Sequence, residues 1–264
     1  MSTAKAARRG LTLLELVVVM VILAALAGIL VPLMPSLARK AHTSSGATNL
    51  GEIAKAVQLY ATQHGDSYPN RLDSITTGSG AATYIPTSSG AASAEAPTTP
   101  LVIDSLSQPE VDALRDTGIT HLAPMIEKPT TEPGSWSPTF YPYGASSSVT
   151  PTFSAINTSG KIAMLNPAVA AAKLGRPSTG RYAVFGLGKF ATVVGEGMNE
   201  APVWYSPVEG NDPASKYCRF GLVFQVSDSA ETSFSRAKLV GVVEFGPWGT
   251  MTKDDNLSYH YSLK

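Results

Sequence analysis

The 264-residue chain has one cysteine, Cys218, so it forms no intramolecular disulfide and holds no Cys-rich zinc site. Charge is scarce, at 15% of residues, and acids and bases balance at 20 each. No global field therefore points toward nucleic acid or acidic substrates. No GxSxG, HExxH or P-loop pattern occurs. The four histidines, His42, His64, His121 and His260, are scattered without ligand spacing and read as surface residues. Charge is missing altogether from the 23 residues between Leu16 and Ala38, which are also strongly apolar.

That stretch completes the segment RRGLTLLELVVVMVILAALAGILVP, residues 8–32. A helix needs about 20 residues to cross a hydrocarbon core of about 30 Å, and this one is long enough. Lys5, Arg8 and Arg9 precede it with no acid among residues 1–10. The positive-inside rule then predicts a cytoplasmic N-terminus and the rest of the chain on the far side. Glu15 is the one charge near the start of the apolar run. An ionised carboxylate at mid-membrane costs about 2.5–3.5 kcal/mol, so its presence asks for a reason.

Three export signals compete. A secretory signal peptide would use Ala25-Leu26-Ala27 as its cleavage box and release a soluble protein. A twin-arginine signal would use Arg8-Arg9. Neither needs Glu15. The third uses every feature. Gly10-Leu11-Thr12-Leu13-Leu14-Glu15-Leu16 resembles the type IV prepilin signal, with a short basic leader ending in Gly, an apolar first mature residue and Glu fifth after the junction. Pro32, the twenty-second mature residue, stands where many pilins also have proline. Two positions depart from the family's commonest residues, Leu11 in place of Phe and Ala24 in place of Gly.

The resemblance implies that a membrane prepilin peptidase cuts after Gly10 and that the new amine of Leu11 is methylated. It also implies assembly with other pilin or pseudopilin subunits, through an inner-membrane assembly platform, into a filament with the apolar helices at its centre. A carboxylate buried there must be paired. The cationic N-terminal amine is the natural partner of Glu15, and the pair favours one axial register, as a polar residue does in a coiled coil.

Pro32 and Pro35 predict a bend or a short unwound stretch in the helix. A second periodic run follows, with Leu50, Ile53, Ala54, Val57, Tyr60 and Ala61 on one face and Glu52, Lys55, Gln58 and Gln63 off it. Thr43-Ser44-Ser45-Gly46 is weak helix and reads as a hinge. His64-Gly65 ends the helix. The string Leu59 to Pro69, LYATQHGDSYP, resembles the helix-to-loop junction of type II secretion pseudopilins. Together the two resemblances span residues 8–69.

The organisation expected is a leader over 1–10, a transmembrane or filament-core helix over 11–37, its amphipathic continuation over 38–64, and an extracytoplasmic head over 65–264. Residues 76–100, rich in Gly, Ser, Thr and Ala, read as a long mobile loop. A short helix is expected within 105–117 around Val111 and Leu114. Another is expected within 162–175, starting near Asn166-Pro167. Residues 129–152 read as irregular. Strands are expected at 181–186, 190–194, 217–226 and 238–245, and short turns between them imply an antiparallel sheet. The fold class is α+β, a long N-terminal helix packed on an antiparallel sheet, as the pilin resemblance also implies.

Gly65-Asp66-Ser67 matches part of an esterase nucleophile block but follows a helix, so it reads as a turn. Gly186-Leu187-Gly188-Lys189-Phe190-Ala191 fits a loose dinucleotide fingerprint. It lacks a following helix and reads as a hairpin joining 181–186 to 190–194. Asp254-Asp255-Asn256 is the dense oxygen cluster near the end, matching the C-terminal calcium loop of major pseudopilins weakly, since three adjacent residues do not all turn toward one ion. No cofactor is expected.

The functional expectation is a non-enzymatic subunit of a type II secretion pseudopilus or a related type IV pilus-like filament, in the bacterial cytoplasmic membrane with its head outside. The alternative is a membrane-anchored periplasmic enzyme or binding module with an uncleaved anchor.

Overall fold

The computed structural model describes residues 13–77, 80–81, 101–124, 152–204, 218–228, 233–246, 249–251 and 253. A single helix, α1 (Leu13–Gln63), runs 51 residues. It passes Pro32 and Pro35 with no unwound stretch. It also passes the expected hinge at 43–46 unbroken. There the Thr43 and Thr48 hydroxyls donate to the Lys40 and Ser44 carbonyls within the helix. Thr43, Gly46 and Ala47 are buried, and that packing outweighs a glycine penalty of about 1 kcal/mol.

The strands are β1 (Leu72–Asp73), β2 (Thr76–Thr77), β3 (Gly80–Ala81), β4 (Leu101–Ser105), β5 (His121–Ala123), β6 (Ser154–Ala155), β7 (Lys161–Leu165), β8 (Arg181–Gly186), β9 (Phe220–Ser227), β10 (Ser233–Gly246) and β11 (Gly249–Met251). Two short helices, α2 (Gln108–Asp116) and α3 (Pro167–Leu174), complete the set. Nine strands form one sheet in the order β11-β10-β9-β8-β1-β5-β6, and β7 joins β8 to β4. The sheet forks at β8. Its first residues pair with β7 and its last, Gly186, with Asp73 of β1. All pairings are antiparallel except β1 with β5, so the sheet is mixed, not purely antiparallel as expected.

The sheet is a middle layer. Ala183 and Phe185 of β8, Phe220, Leu222, Phe224 and Val226 of β9, and Ile162 and Met164 of β7 point to one face. They meet Leu50, Ile53, Val57 and Tyr60 of α1 and Val111 and Leu114 of α2. Tyr182, Val184, Ala163, Leu165, Val223, Val243 and Phe245 point to the other face and meet Val169 and Ala170 of α3. Each fully buried aliphatic side chain contributes about 1.5–3 kcal/mol. Covering both faces explains why all eight residues of β9, Gln225 and Ser227 included, and five of the six in β8 are buried. The α+β class stands, with α1 laid on the sheet.

The α3 helix begins as its sequence dictates. Asn166 Oδ1 accepts from the Ala168 N–H at 2.9 Å, Pro167 sits at N1, and Gly175 closes it at φ 60°. Residues 161–165, just before it, form a strand not anticipated. The expected hairpin over 186–194 is absent. Residues 189–198 form successive turns, in which Val194 N–H donates to Ala191 and Gly197 N–H to Val193. β8 pairs instead with β9, more than thirty residues on. The start of the expected mobile loop is a small hairpin, Thr76–Thr77 with Gly80–Ala81; residues 78–79 and 82–100 lie outside the described residues.

Candidate functional site: the N-terminal helix and its seat on the head

Glu15 lies in the first turn of α1 and is exposed. A carboxylate there faces the positive end of the helix dipole. Gly10 and Leu11, the predicted cleavage and methylation positions, lie outside the described residues, as do Asp254-Asp255-Asn256 and His260. Residues Leu13–Val31 have a mean hydropathy of 2.9 and none of them is buried. At 1.5 Å per residue they span about 28 Å, close to one hydrocarbon thickness. Large apolar side chains stay exposed on through Leu33, Met34 and Leu37. Among the residues of α1 whose burial is described, the first buried one is Thr43. Pro32 lies inside the helix.

The far end of α1 is locked to the head by polar contacts. The Tyr60 hydroxyl donates to Thr192 Oγ1 at 2.9 Å, and the same oxygen accepts the Asn70 N–H at 2.9 Å. Asn70 Oδ1 accepts from the N–H groups of Arg71, Thr120 and His121 at 2.9, 3.0 and 2.9 Å. Its Nδ2 donates to Thr120 Oγ1 at 2.7 Å. One side chain thus ties the chain after α1 to the start of β5. The His64 ring stacks on Tyr60, and its Nε2 lies 3.1 Å from Glu196. Gly65 and Asp66 both take left-handed φ, and Arg236 of β10 donates to the Asp66 carbonyl at 2.6 Å. The turn expected at Gly65-Asp66-Ser67 is therefore present. Burial, then the Asp66 carboxylate, raises the Tyr68 hydroxyl above its ordinary range, with Arg236 opposing them.

A second polar cluster sits under α2. Arg181 Nε meets Glu110 Oε1 at 2.7 Å, and its Nη1 meets Asp104 Oδ2 at 2.9 Å. Its Nη2 donates to the Ser105 carbonyl at 2.9 Å. Glu110 is almost fully buried, and it also accepts from the Ser107 N–H and the Ser227 hydroxyl. Burial opposes the charged form of Asp104. The Ser105 N–H and the Arg181 guanidinium outweigh it and hold the carboxyl below its ordinary range. These acids and this base satisfy one another, so the cluster reads as structural rather than catalytic.

The Gly186-Leu187-Gly188 pattern acquires a reason that does not involve a nucleotide. The buried Asp73 carboxylate occupies the space that a Cβ on Gly188 would need. Sequence reasoning missed Asn70, Asp73 and Arg181, because each works through a partner about 50 or more residues away. Among the described residues, no group of three or more His, Cys, Asp or Glu is placed to hold a metal. Cys218 is buried.

No curated protein and no solved structure matches the chain. Residues 5–31 match the family model of the prokaryotic N-terminal methylation motif, a span that contains Gly10, Leu11 and Glu15 and most of the exposed apolar part of α1. The chain thus carries, at its N-terminus, a prepilin signal of the type IV pilin-like kind.

Proposed function

We propose that the protein is a structural, non-enzymatic pilin-like subunit, a pseudopilin of a type II secretion system or a subunit of a type IV pilus-like filament. The observation that carries this reading is the methylation motif over residues 5–31 on a helix whose apolar residues have no cover in the single chain. Prepilin peptidase cuts after Gly10 and the Leu11 amine is methylated. Before assembly the helix anchors the subunit in the cytoplasmic membrane, leader inside and head outside. After assembly other subunits cover the same apolar surface, and Glu15 pairs with an N-terminal amine. The assembly platform of the membrane is the further partner. The head, larger than expected of a major pseudopilin, supports a minor subunit.

The test is N-terminal mass spectrometry of membrane-extracted protein, with Gly10→Val alongside. Methylated Leu11 in the wild type and an intact leader in the variant is the expected result. An intact leader in both would leave a plain anchored protein, and a start at Gly28 would mean ordinary secretion.

A further inference from the structure

Between the apolar window ending at Val31 and the buried Thr43, α1 has a short helical stalk, residues 32–42, PLMPSLARKAH. Positions 39 and 40 are Arg and Lys, and from Leu16 to Gly51 the chain carries no acid. We infer that this stalk is a docking surface for the anionic phospholipid headgroups of the head-side leaflet, with the Arg39-Lys40 pair as its basic collar.

The inference rests on the membrane-anchored reading above, and continuity of α1 supplies its geometry. Because the helix does not unwind at Pro32 or Pro35, axial distance counts at about 1.5 Å per residue. The 24 steps from Glu15 to Arg39 cover about 36 Å, one hydrocarbon core of about 30 Å plus a margin. The intervening residues, 16–38, are uncharged. With Glu15 at one hydrocarbon boundary, positions 39 and 40 fall in the opposite headgroup layer, which is about 5–8 Å deep. Thr43 then sits about 6 Å beyond Arg39, so the head begins at the outer edge of that layer. Placed so, Glu15 meets the polar layer on the leader side and avoids the mid-membrane cost. Two adjacent bases in a sequence segment, 16–51, that contains no Asp or Glu are complementary to phosphate-rich anionic lipid, and each base near such a surface adds up to about fivefold in affinity.

The test uses the full chain in vesicles, with a fluorophore on Leu37→Cys, the buried Cys218 being left in place. The label reports the lipids beside the head-side end of the helix, so the leader bases of the other leaflet do not contribute. Quenching by brominated phosphatidylglycerol is compared with quenching by brominated phosphatidylcholine. A roughly two- to tenfold preference for the anionic lipid is expected. It should shrink in high salt and vanish in the Arg39→Gln/Lys40→Gln variant. Equal quenching by the two lipids, or a preference that survives the double substitution, overturns the proposal. So does a double variant whose one defect is lost cross-linking between subunits, since the bases would then serve a protein neighbour. Removal of the protein from vesicles by alkaline extraction is a separate outcome, which overturns the anchored reading itself.

Discussion

In the filament subunit proposed above, Glu15 and Gly10 would act at different steps, so their substitutions should separate. On that proposal cleavage depends chiefly on the glycine, whereas Glu15 matters when helices pack and a buried carboxylate needs its partner. Glu15→Ala should therefore still yield methylated Leu11 by mass spectrometry while the sedimentable, sheared filament fraction falls. Wild-type assembly by Glu15→Ala would count against the pairing role. Two other residues carry load within the head. Gly188→Ala forces a methyl into the space of the Asp73 carboxylate and should destabilise by about 1–3 kcal/mol, read by denaturation of the full chain in detergent. Asn70→Ala removes an acceptor from three backbone N–H groups and should cost about 1–3 kcal/mol for the groups left unpaired. Asn70→Asp keeps that acceptor and should cost less. Equal losses in the two Asn70 variants would show that the three N–H bonds are not what matters.

At the scale of elements, α2 is joined to β4, β8 and β9 through Arg181, Glu110 and Asp104. Removing Arg181 leaves Glu110 buried without its base, and Arg181→Met should destabilise by about 3–5 kcal/mol. The cluster also sets an acid limit. The Asp104 carboxyl titrates below its unfolded value of 3.8. Its contribution is therefore complete above that value and is lost as pH falls through the lower folded one. Unfolding midpoints followed from pH 6 to pH 2.5 should drop more steeply in the wild type than in Asp104→Asn. Parallel curves would mean that Asp104 is too solvated to matter. The α1 helix shows how packing overrides local preference. Its Thr-Ser-Ser-Gly stretch is poor helix, yet it lies where the helix meets the head and stays helical.

At the scale of the whole molecule, α1 has two environments. From Leu13 to Leu37 its large apolar side chains are exposed, and from Thr43 it shares one core with the sheet. The second part should therefore unfold with the head. Ile53→Ala, at a site 3% exposed, should cost about 2–5 kcal/mol. It should speed hydrogen exchange in residues 43–63 and in β9 together. Faster exchange in the helix alone would mean that it detaches as a separate unit.

Much of this was legible in the sequence wherever the signal is local. The apolar run with its basic leader and Glu15 needs no partner to be recognised, because a bilayer or filament core acts on a contiguous segment. The stripe of Leu50, Ile53, Val57 and Tyr60, the Asn166-Pro167 helix start and the turn at Gly65 were readable for the same reason, each being set within a few residues. What only the tertiary structure decided depends on distant residues. Thr192-Val193-Val194 has strand-forming residues but folds as turns, because Thr192 is held by Tyr60 and Asn70 and the space over Gly188 is taken by Asp73. The partner of β8, the fork of the sheet and the parallel pairing of β1 with β5 follow from where the faces of strands far apart in the chain find cover. Strand pairing is a non-local choice, settled by packing and burial on both faces, and no window of neighbouring residues contains it.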